Sequence, residues 1–437
     1  IDCVRYVCCG KTMHHDCFYK LKSTACGDEC PMCRTPAPAY EDAYTRSLAW
    51  ARKGKAWAMF KVGHCVETGR GVHMSKEQAR VWYEQASVQG HADAQFRLGL
   101  MHLDGLGGPV SKERALYWYT KAGLQGYVHA QYKLGAMYYD GTGVAVSKEK
   151  ARVWFERAAR QGHPHAQNDL GHVYFNGEGG PMSLEQARHW FEKAAVQGDS
   201  QAQMNLGNMY YLGKGGLPVS KVKALRLFEK AAAQGHRQAQ FKLSFMHETG
   251  EGGLPVSDVK ARRWLEKAAA KGHSEAQYKL GQAYDSGDGG LTMSKEKARF
   301  WYQKAADQGF AYAQHDIAYM YRHGEGGAQS LEQSRVWFKK AAEQGFASAQ
   351  YQLGVLFDRG YGGPVDESQA RYWYEKAAAQ TGEQGAHQAA YNLGILLLYG
   401  KAGLTASVEN AARHFIASAE QGYGPAMEAL TRIQFST

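Results

Sequence analysis

At 437 residues, 44% of them hydrophobic, the chain is long enough to bury several cores, so length alone suggests two or three globular domains. Its 52 basic and 42 acidic residues leave a net charge of +10, but they are interspersed without any Lys/Arg block, which argues against a nucleic-acid partner. The most apolar run, Gly394-Ile395-Leu396-Leu397-Leu398-Tyr399-Gly400, falls far short of the roughly 20 residues that cross a bilayer, so no membrane segment is expected.

Residues 1–36 stand apart. Seven of the eight cysteines (Cys3, Cys8, Cys9, Cys17, Cys26, Cys30 and Cys33) lie here, and only Cys65 follows. That asymmetry favours one local metal cluster over a disulfide framework and predicts an intracellular, cytoplasmic chain. His14-x2-Cys17 and Cys30-x2-Cys33 are spacings at which two ligands reach one tetrahedral ion, so Zn2+ is the expected cofactor, with a decayed site or redox-active thiols as alternatives. Cys9-Gly10, His14-His15-Asp16-Cys17 and Cys30-Pro31-Met32-Cys33-Arg34 resemble the C-terminal two-thirds of a RING finger. That resemblance implies one zinc on Cys9, Cys30 and Cys33 and another on His14 and Cys17. It also implies a ubiquitin-conjugating enzyme as partner, with Arg34 at the position that contacts ubiquitin. Lys11 stands where the family commonly has His, and the opening Cys-x2-Cys pair is absent. Cys3, Cys8 or Cys26 would have to substitute, or the pair would lie upstream of Ile1.

Residues 37–54 read as a stiff Pro-containing linker and an N-terminal capping helix. Residues 55–424 then repeat: Ala58, Ala94, Ala130, Ala166, Ala202, Ala239, Ala276, Ala313, Ala349, Ala389 and Ala426 recur at intervals of 36 or 37 residues, with one of 40. Each unit opens like Ala130-Gln131-Tyr132-Lys133-Leu134-Gly135, whose apolar spacing predicts a helix A, and runs into a Gly-rich loop. A Ser (Ser75, Ser111, Ser147, Ser183, Ser220, Ser257, Ser294, Ser330) or Asp366 then N-caps helix B, because its side-chain oxygen satisfies a first-turn amide. Seven residues on sits Trp, or Leu227 in one unit, and a Gln-Gly or similar pair closes helix B. Residues 425–437 carry a C-terminal capping helix.

The motifs Ala-Gln-x-x-Leu-Gly-x-Met-Tyr, Gly-x-Gly-Gly and Ala-Arg-x-Trp-Phe/Tyr-Glu-Lys-Ala-Ala-x-Gln-Gly resemble the Sel-1-like repeat, a relative of the tetratricopeptide repeat, ten times over. The resemblance implies an all-α fold, a right-handed α-solenoid of two-helix repeats behind a small zinc module, in which neighbours must stack because no single pair can bury its face.

The Gly-x-Gly-Gly loops look superficially like phosphate cradles, but they follow helices rather than strands, so they read as left-handed corners. The Trp ladder reads as shared core, Cys65 as an inert packing residue, and His91, His163, His236 and His273 as solvated turn residues. No catalytic constellation interrupts the pattern. At about 100° per residue, position 132 points away from Ala130 and Leu134. The equivalent positions read Phe60, Phe96, Tyr132, Asn168, Met204, Phe241, Tyr278, His315, Tyr351 and Tyr391, several followed by Lys or Arg. Phe96, Tyr132, Lys133, Phe241, Lys242, Tyr278 and Lys279 are therefore candidate partner-binding residues, with packing against the next unit as the equally weighted alternative. The function expected is a non-catalytic scaffold that binds proteins or peptides along the repeats. The alternative is a RING-type ubiquitin ligase whose repeats recruit substrates.

Overall fold

The computed structural model describes the backbone of residues 3–5, 12–14 and 40–434 and the side chains of residues 43–433. Strands Cys3–Arg5 and Thr12–His14 pair antiparallel, with Cys3 opposite His14. From Tyr40 onward the described residues are α-helices, two single 3-10 turns and connecting loops: a first helix Tyr40–Arg52, ten successive A and B helices, and a final helix Gly424–Gln434.

Cap chemistry sets the helix boundaries. Ser75 Oγ accepts from the Gln78 amide at 3.2 Å and Asp366 Oδ1 from that of Gln369 at 2.9 Å. Ser407 does the same for helix Val408–Ala419, accepting from Asn410 at 3.2 Å. Helix A ends where a glycine takes up φ values that other residues resist, as Gly141 does at φ 74° after helix Val128–Asp140.

The chain divides into two compact units, Ile1–Val219 and Ser220–Thr437. In each, buried Ala, Leu and Met residues of consecutive repeats merge into shared clusters. Trp118 of helix Lys112–Leu124 packs on the cluster that holds Ala58, Leu98 and Met101, and Trp301 of helix Lys295–Asp307 on the one that holds Ala276 and Leu280. The Trp ladder is thus core, as its register predicts. The deepest ring, however, is the next residue on: Tyr83, Tyr119, Phe155 and Phe191 in the first unit, and Phe228, Tyr302, Phe338, Tyr374 and Phe415 in the second. Each of these rings follows a small helix A residue by 20 or 21 residues, Gly in every case but Ala318 before Phe338. A Cβ on Gly99 would lie 2.5 Å from Tyr119 Cε1, and one on Gly394 2.5 Å from Phe415 Cε1.

Two polar devices stitch the repeats together. In the second to ninth repeats the repeat Ala is followed by a buried Gln whose amide donates to a carbonyl eight residues earlier, as Gln131 Nε2 does to Gly123 at 3.0 Å. Its oxygen accepts from the Gln that closes helix B: Gln125 to Gln95, Gln161 to Gln131, Gln197 to Gln167, Gln344 to Gln314 and Gln380 to Gln350, all at 2.7 or 2.8 Å. In several repeats the Arg after the helix B Ala bonds the Gly loop of the following repeat, as Arg188 does to the Gly215 carbonyl at 2.8 Å and Arg262 to that of Gly289 at 2.7 Å, whereas Arg371 bonds Glu375 on its own helix. These Gly loops are therefore occupied as acceptors of a structural arginine, in keeping with their reading as corners.

Candidate functional site

The outward positions of helix A form columns of half-buried rings. Phe96 lies 5.7 Å from Tyr119 on helix B and 5.2 Å from Tyr127, the residue before the next helix A. Tyr132 stacks on His163 at 4.6 Å, Phe241 on His273 at 4.5 Å, and Tyr278 lies 5.2 Å from Phe310. Each ring is thereby held between its own helix B and the first residue of the next repeat, which is the packing alternative expected from the sequence. Of the paired cations, Lys279 sits over Phe241 of the preceding repeat at 5.7 Å and Lys242 over Phe245 at 5.3 Å. Lys133 is half-buried beside Tyr132.

The turn histidines correct one expectation. They are not solvated: His163, His236 and His273 cap helix A, each accepting through Nδ1 from the amide three residues on at 3.2–3.3 Å. His91 does so at 3.4 Å and lies 3.7 Å from the Asp93 carboxylate. Capping needs a neutral acceptor, and burial, reinforced by His129 and His165, holds His163 down at about 4. Burial likewise lowers His273. A folded value below the unfolded 6.5 means that the stabilisation is complete above pH 6.5 and is lost as pH falls toward 4. Thermal melting between pH 7.5 and 4.5 should therefore show a smaller loss of Tm for His163→Asn, which caps without titrating, than for the native chain.

Between consecutive A helices the surface opens. In the first unit, helices Pro164–Asn176 and Ser200–Leu212 enclose a cavity of about 260 Å³. Phe191 and Met209 line it together with His172, Asn176, Asn205 and Asn208, and Lys214 stands among the lining residues. Asn205 donates to Asn168 Oδ1 at 3.0 Å and meets His172 Nε2 at 2.8 Å. Burial lowers the His172 pKa, so the imidazole is neutral and Lys214 is the one charged lining group at neutral pH.

In the second unit a cavity of about 710 Å³ lies between helices Ser274–Ser286 and Ala311–His323. It occupies the corresponding place in the repeat: Tyr302 stands for Phe191, Met320 for Met209, Asp316 for Asn205 and Glu325 for Lys214. Its rim is acidic, and Lys295 bridges Asp285 at 2.8 Å and Glu325 at 3.0 Å, which raises the Lys295 pKa. None of these rim residues stood out from sequence. The signal was present at the residue after the outward ring, where Lys61, Arg97, Lys133, Lys242 and Lys279 give way to Asp169, Asn205 and Asp316.

Among the expected zinc ligands, Cys8, Cys9, Cys17, Cys26, Cys30 and Cys33 lie outside the described residues. For Cys3 and His14 only the strand backbone is described. Among the described residues no group of three or more His, Cys, Asp or Glu is placed to hold a metal ion. Burial raises the Cys65 thiol, in line with a packing role. Among the described residues no helix is long and apolar enough to cross a membrane.

Residues 58–91, 92–127, 128–163, 164–199, 200–236, 237–273, 274–310, 311–346, 347–381 and 387–423 each match the Sel1 repeat. The chain belongs to the Sel1 repeat family. It is 34% identical to c5321, a protective antigen of uropathogenic Escherichia coli strains displaying an SLR fold, with a TM-score of 0.64 over 89% of this chain and 82% of that one. It is also 34% identical to a Sel1 repeat protein from Oxalobacter formigenes, with a TM-score of 0.51 over 71% of this chain and 89% of that one. No curated protein matches the chain.

Proposed function

We propose that this Sel1 repeat protein is an interaction scaffold that holds segments of partner proteins along the A-helix face of its repeats. The observation that carries this reading is how the repeat divides its positions. The Gln ladder, the Gly–ring contacts and the Arg-to-loop bonds recur with few changes and serve packing, whereas the rim between consecutive A helices changes character and opens into cavities. Variable side chains on a constant frame are what selective recognition requires. A photo-crosslinking residue at Asn208 or Tyr319, on the A-helix face, should capture partner protein. The same residue at exposed Val153 or Val336 on helix B should not, and the reverse pattern would refute the reading.

The cysteine density of residues 1–36 supports a Zn2+ module in addition, with a RING-type ubiquitin ligase as the alternative function. Metal analysis of the same protein with and without Cys30→Ala separates the two. Two zincs per chain, and autoubiquitination lost in the variant, favours the ligase. One or none, without transfer, leaves the scaffold.

A further inference from the structure

The cavity between the fourth and fifth A helices has an apolar floor, amide walls and a single cation. We infer that it is a side-chain pocket for an extended partner segment, taking one apolar residue that is flanked by an acidic one. This rests on the scaffold reading and specifies its partner.

Size is the first argument. About 260 Å³ lies just below the roughly 300–1,000 Å³ of small-molecule sites and suits one large side chain. The floor of Phe191 and Met209 supplies apolar contact, which is where binding energy concentrates when a partner anchor is fully desolvated. Asn176 and Asn208 stand at the wall with amides that can both donate to and accept from a peptide backbone, the pairing an extended segment needs.

The cavity has a local cause in the sequence of this repeat. In the seventh repeat the residue after the outward ring is Lys279, whose chain crosses to Phe241 of the preceding repeat. In the fifth repeat the same place holds Asn205, whose short side chain reaches only to Asn168 of the preceding repeat, where other repeats have a ring, and so covers less of the groove. Two local changes, ring to Asn168 and Lys to Asn205, leave the groove open.

Charge then sets the flank. Lys214 lies over Phe175 at 5.3 Å at the end of helix Ser200–Leu212, exposed, and it is the only charged lining residue at neutral pH. The carboxylates that act on His172, those of Asp169, Glu178 and Asp199, are not part of the lining. In the corresponding cavity of the second unit Glu325 replaces Lys214, so one position carries opposite charges on the same frame.

A displayed library of random 12-residue peptides, panned on the full chain, tests this. The selected peptides should share an apolar residue next to Asp or Glu and bind with measurable Kd. Asn205→Lys, which places in the groove the long cation found in the first, third, sixth and seventh repeats, should weaken them at least tenfold. Lys214→Glu should weaken them several-fold and, when panned afresh, select Lys or Arg in the flank. Unchanged melting of Lys214→Glu would show that the frame is intact. Selected peptides whose Kd changes by less than twofold in both variants would overturn the pocket while leaving the scaffold reading standing. Failure to select any peptide would overturn both.

Discussion

Gly99→Ser should destabilise the first unit by about 3 kcal/mol, but by only about 1 kcal/mol when it is made in a chain that already carries Tyr119→Leu. A Cβ on Gly99 would lie 2.5 Å from Tyr119 Cε1 and 2.7 Å from its Cδ1, and Tyr119 is fully buried with no room to retreat. Overpacking of this kind typically costs about 1–3 kcal/mol. A serine hydroxyl without a partner there adds to it. For a unit of this size the fall in Tm is about 6–12 °C. Tyr119→Leu alone should cost about 2–3 kcal/mol, because it leaves a cavity against Phe96 and Leu134. The sixth repeat already carries the compensated pair, with Ser244 in the Gly place and Leu265 in the ring place. A double-mutant cycle read by chemical denaturation should therefore show favourable coupling of about 2 kcal/mol. Additive losses would mean that the Gly–ring contact is not what couples helix A to helix B.

That pairing shows where sequence reading succeeds and where it stops. The repeat period, the Ser caps and the Gly corners are local chemistry, so the ten repeats and both helices of each could be read from the residues. The pairing of Ser244 with Leu265 is not visible as a local pattern, because the two lie 21 residues apart on neighbouring helices. The turn histidines looked solvated because no nearby partner is visible in sequence, whereas in three dimensions their partners are a backbone amide and a ring from the preceding repeat. The outward aromatics were identified at the right positions, but periodicity gives direction without depth, and their rings are largely used to join repeats. The cavities arise from what is short at one position of one repeat, and an absence becomes legible only when neighbours are placed beside it.

Lys271→Gln should raise stability, and the reason lies in a break in the amide ladder. Gln125, Gln161, Gln197, Gln308, Gln344 and Gln380, which close helix B in their repeats, each donate to the buried Gln about thirty residues before, as Gln308 does to Gln277 at 2.6 Å. At the sixth repeat the closing residue is Lys271, and Gln240 Oε1 is left buried without a partner. An unmet buried acceptor costs about 1–3 kcal/mol, so supplying the missing amide should gain about 1 kcal/mol after the side chain's ordering is counted. The converse, Gln131→Leu, keeps the volume but removes the acceptor of Gln161 and one donor to the Gly123 carbonyl, which still receives the Gly126 amide. That change should cost about 2 kcal/mol. Denaturation midpoints that move in opposite directions for the two variants would establish the ladder as a stabilising element that runs from repeat to repeat. If Lys271→Gln is neutral while Gln131→Leu is costly, the carbonyl bond within each repeat carries the stability and the link between glutamines adds none.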